Sequence, residues 1–344
     1  KYYRDDSVRI EGIKGGQYDF VQENIARNWA RAYPESVLQK RNLQKHEWQH
    51  SNTAGLQGFV MNTRRKPLDD IRVRRALVLS FDYESINNRL FYGLYKRSYS
   101  LFTNGSMAAE GKPQGAERAL LNSVRNKLPA AVFDEPVPLP PQTDPALGVR
   151  PNLVQARALL QSAGYRYRGG VLVDKQGRPL VLEFLSPSKT YERVTAKWQR
   201  DLAKIGITLN VRVSDAAVYQ KRRNDFYYDL TIVVYANSES PGNEQFNYFG
   251  CQAAKTPGSN NWAGVCDPAV ETLLKRFENF NNRAELTAAA RALDREIRHQ
   301  YVVVPNWYAD KYRVIYRNTI ALPAQMPQYY SATDWALKAG WVRR

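Results

Sequence analysis

Helix patterns and strand patterns alternate along this chain without a fixed repeat, and this alternation restricts the fold most. Apolar residues recur at helical spacing over 152–164, with Asn152 as the predicted N-cap and a glycine at the end. A second helical pattern covers 191–206, and alternating apolar residues follow it over 207–213. A continuous apolar run at 229–235 is typical of a buried strand. Together these patterns predict an α/β fold rather than a helical bundle or a β-sandwich.

Four other segments have local signals of their own. The proline-rich stretch 136–151 predicts an extended surface connection, because proline continues neither a helix nor a central strand. Apolar triplets at 171–173 and 180–182 flank a turn-like Asp-Lys-Gln-Gly sequence and predict a β-hairpin. Asp267 followed by proline predicts the start of a helix, and another helix is predicted over about 283–299.

The chain is strongly basic, with 50 Lys and Arg residues against 33 Asp and Glu and a net charge of +17. Such an excess favours an anionic partner, and nucleic acid is the obvious candidate. The basic residues are nevertheless spread along the chain, in short clusters at 64–66, 72–75 and 221–223. We interpret them mainly as solvated faces. Nucleic-acid binding remains an alternative that charge alone supports, and we expect no nucleic-acid partner.

One motif suggests metal chemistry. His46-Glu47-Trp48-Gln49-His50 fits the HExxH pattern of zinc peptidases, in which one helical turn brings both imidazoles to one face. The surrounding residues are polar and offer no apolar stripe to pack a helix. We therefore interpret the motif as a chance match in a polar connecting segment, with a zinc peptidase as the alternative.

Other catalytic signatures do not occur: the sequence contains no GxSxG elbow, Walker A loop or GxGxxG turn. We expect no enzyme activity, no metal and no cofactor. The two cysteines, Cys251 and Cys266, lie close together in a stretch rich in Gly, Pro and Asn. A disulfide between them would require an oxidising compartment, and two free buried thiols are the alternative.

Several stretches resemble the extracellular solute-binding proteins of family 5, which serve oligopeptide and nickel importers. The stretches are Gly15–Asp19, Phe59–Thr63 followed by Pro67–Leu77, Ala158–Tyr165, Leu202–Ile207, and Asn260-Asn261-Trp262 before Val265–Pro268. The residues Met61–Arg65 are most similar to the YejA branch, which is associated with uptake of peptide–nucleotide conjugates of the microcin C type. The resemblance covers nearly the whole chain.

The resemblance implies a bilobal periplasmic-binding-protein fold of type II, the oligopeptide-binding class. It also implies that the chain is the C-terminal part only, with the signal peptide and the N-terminal portion absent. On this basis residues 1–55 and 310–344 belong to lobe one, and residues 56–309 form lobe two. The implied protein is a periplasmic monomer that binds an oligopeptide between its lobes and delivers it to an inner-membrane ABC permease.

The resemblance also indicates a ligand site. In oligopeptide receptors, the loop after the strand equivalent to 230–235 has an aspartate that pairs with the ligand's α-ammonium group. That position is Asn237 here, and a neutral amide lacks the charge-assisted attraction of a carboxylate. We therefore expect Asn237 and Glu239 to line the peptide's N-terminal end, with that terminus blocked or read differently if Glu239 does not substitute. The predicted wall residues are Tyr235, Asn243, Asn260, Asn261 and Trp262.

Overall fold

A computed structural model describes residues 2–323 and 325–342 of the chain. Its α-helices, α1 to α15 in chain order, are Asp6–Lys14, Ala26–Arg31, Glu35–Lys40, Ile71–Leu79, Tyr83–Leu90, Gly115–Asn122, Ala131–Asp134, Arg150–Ser162, Glu192–Ala203, Ala216–Asn224, Glu244–Phe249, Cys251–Lys255, Pro268–Leu274, Arg283–His299 and Ala332–Ala339. Its strands, β1 to β14, are Phe20–Gln22, Leu43–Gln49, Leu56–Met61, Lys96–Arg97, Arg166–Arg168, Val171–Val173, Val181–Ser186, Thr208–Val213, Leu230–Tyr235, Val303–Pro305, Trp307–Tyr308, Lys311–Arg317, Ile320–Ala321 and Trp341–Val342.

Helix ends agree with the local signals in most places. The Asp267 side chain caps α13 by accepting from two backbone N–H groups, and α14 covers the predicted 283–299. Helix α8 is the exception at its start, because it begins at Arg150 and not after Asn152. Asn152 lies inside the helix, and its side chain donates to the Gln142 carbonyl at 3.0 Å. The predicted N-cap was therefore wrong, while the helix itself is confirmed.

The central sheet has the strand order β10-β3-β9-β7-β8. Strand β7 pairs in parallel with both β8 and β9, whereas β3 pairs antiparallel with β9 and β10. The predicted hairpin over 171–182 is only partly correct. The turn forms, since Gly177 N–H donates to the Asp174 carbonyl at 3.0 Å. However, β6 pairs with β5, and β7 continues into the central sheet because its apolar residues are buried there.

Aromatic side chains fill the space between the central sheet and helix α9. Trp198 is fully buried, stacks on Phe59 with ring centroids 5.5 Å apart, and meets the edge of Phe81 at 5.8 Å. Phe59 in turn meets Phe184 at 4.8 Å. The indole N–H of Trp198 donates to Ser80 Oγ at 2.8 Å, so its polar atom is satisfied inside the core. This cluster attaches α9 to the sheet.

Several arginines lie inside the fold instead of on solvated faces. Arg74 is 7% exposed and donates to the carbonyls of Leu68, Asp69 and Gln300. Arg295 is fully buried and pairs with Glu117 at 2.6 Å. The interpretation of cluster 72–75 as a solvated face was therefore wrong for Arg74. Part of the positive excess holds backbone carbonyls together and forms no surface for an anion.

Helix α14 also contains a buried carboxylate with an altered affinity for protons. Glu296 is 3% exposed, and its side chain accepts a hydrogen bond from Gln300 Nε2 at 3.0 Å. Burial raises the pKa of Glu296 from 4.5 to about 7, and the nearby negative charge of Asp267 acts in the same direction. The folded protein therefore retains a proton on this group at pH values where the unfolded chain has lost it.

This raised pKa predicts that stability falls as the pH rises. The contribution is fully present below pH 4.5 and is lost as the pH passes through 7, because the unfolded state then binds fewer protons. We expect Glu296→Gln to match the wild type near pH 4.5 and to be more stable by ~3 kcal/mol at pH 8. Urea unfolding at both pH values measures this, with Glu278→Gln, at an exposed carboxylate before α14, as the control. Equal stability of Glu296→Gln and wild type at pH 8 would contradict it.

The chain divides into two compact units. Unit 1 comprises Lys1–Asn52, Asn87–Lys96 and Ala309–Arg344, and unit 2 comprises Thr53–Ile86 and Arg97–Tyr308. In unit 1, β12 is the middle strand of an antiparallel sheet with β1 and β2 on either side. The assignment of 1–55 with 310–344 to one lobe and of 56–309 to another stays a prediction, and its residues 1, 324, 343 and 344 lie outside the described residues.

Among the described residues, no helix is both long and apolar enough to cross a membrane.

Candidate functional site

The candidate site is the loop of residues 236–243, at the carboxyl end of β9. Strand β9 is apolar and mostly buried up to Tyr235, after which the chain turns polar, with Ser238 exposed and Asn237 and Glu239 partly exposed. Loops at the carboxyl ends of strands in open α/β sheets commonly hold ligands. The 236–243 loop therefore offers polar side chains at a position where such folds bind small molecules and peptides.

The side chain of Asn237 is held at both ends of its amide. Its Nδ2 atom donates to the Leu101 carbonyl at 2.8 Å, and its Oδ1 atom accepts from Gln245 Nε2 at 2.5 Å. Gln245 is fully buried at the start of α11 and therefore provides a rigid support. These bonds determine the orientation of the Asn237 side chain. Its Nδ2 donor and its Oδ1 acceptor both already have a partner inside the protein.

The carboxylate of Glu239 has two partners from distant parts of the chain. It forms an ion pair with Arg283 Nη2 at 3.1 Å and accepts a hydrogen bond from Thr53 Oγ1. Arg283 Nη1 also donates to the Glu239 carbonyl. The Glu239 side chain is 26% exposed and that of Arg283 is 50% exposed, so both remain within reach of solvent. The pair makes this part of the loop electrically neutral.

Two glycines let the chain approach the loop closely. A Cβ atom on Gly105 would lie 2.1 Å from Thr53 Oγ1 and 3.2 Å from Glu239 Oε1. Gly55 has φ +68°, and a Cβ there would lie 2.3 Å from the Tyr235 carbonyl oxygen. Neither position has room for a side chain. The environment of Glu239 is therefore built partly from backbone that only glycine can supply.

Three of the predicted wall residues lie in the core of unit 2. Tyr235 is fully buried, with its ring 5.2 Å from that of Trp262, and burial raises the pKa of the Tyr235 hydroxyl. Asn261 is also fully buried and bonds the backbone of Gly250, Gly264 and Val265 through its amide. As placed, these side chains support the fold beneath the loop. Their part in a ligand site stays a prediction.

The other two predicted wall residues lie nearer the surface. Asn243 is exposed and immediately precedes α11, at the end of the 236–243 loop. Asn260 is half-buried, and its backbone N–H donates to the side chain of Asn247 at 3.3 Å. Asn243 therefore shares the loop with Asn237 and Glu239, whereas Asn260 belongs to the segment that follows α12.

A disulfide joins Cys251 and Cys266, at the two ends of the stretch that contains Asn260. It confirms the predicted pairing and excludes the alternative of two free thiols. Arg64 also holds the segment, because its Nη2 donates to the carbonyls of Ala254 at 2.7 Å and Asn261 at 2.8 Å. Arg64 is exposed, as predicted for cluster 64–66, but its guanidinium group binds backbone carbonyls of this segment and is not simply solvated. Sequence reasoning missed this role of Arg64, and nothing in its local sequence distinguishes it from its neighbour Arg65, which pairs with Asp229 at 2.6 Å.

Thr53, Gln245 and Arg283 were missed as well. Each reaches the 236–243 loop through its side chain, yet Thr53 and Arg283 are far from the loop in sequence. Gln245 offered the best signal, since it lies only eight residues after Asn237 and one side-chain amide can donate to another. For the other two, pairing depends on where the sheet and α14 place them.

Residues 46–49 of the HExxH motif lie in strand β2, so the prediction of a connecting segment was wrong, and His50 follows directly after the strand. Its strand pairs with β12, with His46 opposite Val314. In a strand, Glu47 points to the opposite face from His46 and His50, and the two histidines are ~13 Å apart along the backbone. The His50 ring stacks on Tyr312 at 4.3 Å. The helical arrangement that a zinc peptidase needs is therefore not formed by these residues.

Comparisons with known proteins identify a family of solute-binding proteins. The model of the family "Bacterial extracellular solute-binding proteins, family 5 Middle" matches residues 1–256. The "Probable peptide-binding protein YejA" of Agrobacterium fabrum is 35% identical over 345 residues, which cover 98% of this chain and 56% of that protein. The chain thus spans about half the length of the curated relatives that it matches.

Solved structures confirm the predicted fold class. The oligopeptide-binding protein AppA of Bacillus subtilis, solved in complex with a nonapeptide, has a TM-score of 0.69 at 14% identity, over 100% of this chain and 60% of that chain. The periplasmic binding protein DppA of Helicobacter pylori, in complex with the peptide STSA, has a TM-score of 0.65 at 15% identity, over 100% of this chain and 56% of that chain. At these identities the likeness shows the α/β fold of the oligopeptide-binding class.

Proposed function

This chain belongs to the bacterial extracellular solute-binding proteins of family 5, and on that premise we propose that it captures oligopeptides or peptide conjugates for an ABC importer. The protein then acts in the periplasm as a monomer and hands its ligand to an inner-membrane permease. It binds and releases the ligand without chemical change, and it needs no metal or cofactor. Peptide–nucleotide conjugates are included in the ligand class because the basic chain would favour a phosphate group.

The observation that carries the proposal is the position of the 236–243 loop. It leaves the sheet at the carboxyl end of β9 and presents Asn237 and Glu239 at the surface of unit 2. Both side chains are held in place by hydrogen bonds, so their geometry is set before a ligand arrives. A peptide has a regular supply of backbone donors and acceptors for such groups, which lets one receptor accept different side chains.

Peptide capture is tested first by native mass spectrometry of the natural full-length protein, purified without denaturation. We expect a population with added masses that fragment as peptides or peptide conjugates. The alternative, nucleic-acid binding, predicts that the protein retains DNA or RNA and that this binding weakens steeply as the salt concentration rises. Failure to retain either nucleic acid at low ionic strength would remove that alternative.

The site assignment is tested by separate substitutions of the two loop residues. We expect Asn237→Ala and Glu239→Ala each to weaken the affinity for the co-purified ligand at least tenfold, because each removes the bonds that hold the loop in its binding geometry. Isothermal titration calorimetry measures this. Asn122→Ala, at an exposed helix end, is the matched control. If both loop variants bind as the wild type does, the loop is not the ligand site.

A further inference from the structure

The 236–243 loop contains a single acidic residue, Glu239, and its charge is already neutralised. Arg283 pairs with the carboxylate at 3.1 Å and also donates to the Glu239 carbonyl, so it engages both the side chain and the main chain of this residue. Thr53 donates to the other carboxylate oxygen. Each oxygen of the carboxylate thus has a partner from the protein itself.

The neighbouring amide offers no free charge or strong acceptor in place of the carboxylate. Asn237 Oδ1 accepts from Gln245 Nε2 at 2.5 Å, and Gln245 is fully buried and cannot move away without cost. The Nδ2 atom of Asn237 is a donor, and it donates to the Leu101 carbonyl at 2.8 Å. A cationic group brought to Asn237 and Glu239 would therefore meet no uncompensated negative charge there, and the Glu244 carboxylate accepts from the Gly242 N–H at the other end of the loop, at 2.9 Å.

A free peptide N-terminus has a full positive charge that water solvates strongly. Moving that charge to a site without a counter-charge is unfavourable, whereas a neutral acyl amide needs only ordinary hydrogen bonds. We infer that the ligand end that contacts Asn237 and Glu239 is uncharged, as in an N-acylated peptide. This inference rests on the proposed function, because it concerns the same loop.

Arg283 is the residue that determines this preference. It is the first residue of α14, and half of its side chain is exposed. Without the guanidinium group, Glu239 would keep its hydrogen bond from Thr53 but would regain an uncompensated negative charge. The loop would then be suited to an α-ammonium group. Removal of one exposed arginine should thus change which class of peptide end is accepted.

The test compares two synthetic peptide pools with the same randomised, lysine-free sequences of three to ten residues. One pool has free N-termini and the other is N-acetylated. The natural full-length protein is freed of co-purified ligand, incubated with both pools in competition, and analysed by native mass spectrometry. We expect at least tenfold greater retention of acetylated peptides by the wild type. In Arg283→Gln, we expect the ratio to shift at least tenfold towards free amines.

Arg291→Gln is the matched control, because Arg291 lies on the same helix and its Nη2 atom donates to the Ser106 carbonyl at 3.0 Å. Its ratio should equal that of the wild type. Preferential binding of free amines by the wild type, or equal binding of both pools, overturns the inference and leaves peptide capture intact. An Arg283→Gln ratio equal to that of the wild type also overturns it. Binding of neither pool overturns the proposed function itself, and the inference with it.

Discussion

Replacing Arg295 with methionine is expected to lower the free energy of unfolding by about 3 to 5 kcal/mol. The guanidinium group is fully buried in α14, where it pairs with Glu117 at 2.6 Å and donates to the carbonyls of Gly111 at 2.7 Å and Glu110 at 3.0 Å. Methionine fills a similar volume but leaves the Glu117 carboxylate, itself only 7% exposed, without its counter-charge. Urea unfolding at pH 7, followed by circular dichroism, measures the loss.

A double variant shows whether the uncompensated charge is the cause. In Arg295→Met with Glu117→Gln the buried charge is gone, so we expect much of the lost stability to return. Arg291→Met, one helical turn earlier and half-buried, should change the free energy of unfolding by less than about 1 kcal/mol. A double variant less stable than Arg295→Met alone would show that the isolated carboxylate is not what destabilises the fold.

Replacing Trp198 with alanine is expected to lower the free energy of unfolding by about 3 to 5 kcal/mol as well. The indole stacks on Phe59 and meets the edge of Phe81, and it is fully buried between α9 and the sheet. Alanine would leave a cavity that these rings cannot fill, since each is held by other neighbours. The loss would appear as a lower urea midpoint with an unchanged slope.

Phenylalanine at position 198 separates packing from hydrogen bonding. It retains most of the ring volume but removes the indole N–H that donates to Ser80 Oγ, whose own hydroxyl donates to the Leu77 carbonyl at 2.8 Å. We expect Trp198→Phe to cost about 1 to 2 kcal/mol, well below the alanine variant. Trp341→Ala, at a ring that is 54% exposed, is the control and should be nearly neutral. If Trp198→Phe and Trp198→Ala lose the same free energy of unfolding, the hydrogen bond to Ser80 and not the packing of the ring explains the loss.

Two arginines of α14 each compensate an acidic side chain, and we expect their removal to have different effects. In α14, Arg295 compensates a buried carboxylate and keeps the helix in place, whereas Arg283 at the exposed end of the same helix compensates Glu239. The first pair is expected to control stability, because it is desolvated. The second is exposed and contributes little to stability, so its removal should alter ligand choice with the fold retained.

Signals that act over a few residues were readable from the sequence by itself. The α/β class, the buried strand at 230–235, the helix that Asp267 caps and the close spacing of Cys251 and Cys266 all follow from neighbours in the chain. The reason is that helix capping, turn formation and hydrophobic periodicity depend on backbone geometry within one or two turns. The family resemblance rested on such local blocks too, and it is confirmed.

Only the tertiary structure decided which distant groups meet. The HExxH segment became a strand because β12, far along the chain, pairs with it, and its own residues show no strand pattern. Arg74 is buried, and the more exposed Arg64 donates to carbonyls far along the chain, because the fold brings these carbonyls beside the two guanidinium groups. Glu239 is neutral because α14 begins beside it. The partner of a side chain depends on how distant segments pack in the fold. A local sequence pattern contains no information about which distant residues come into contact.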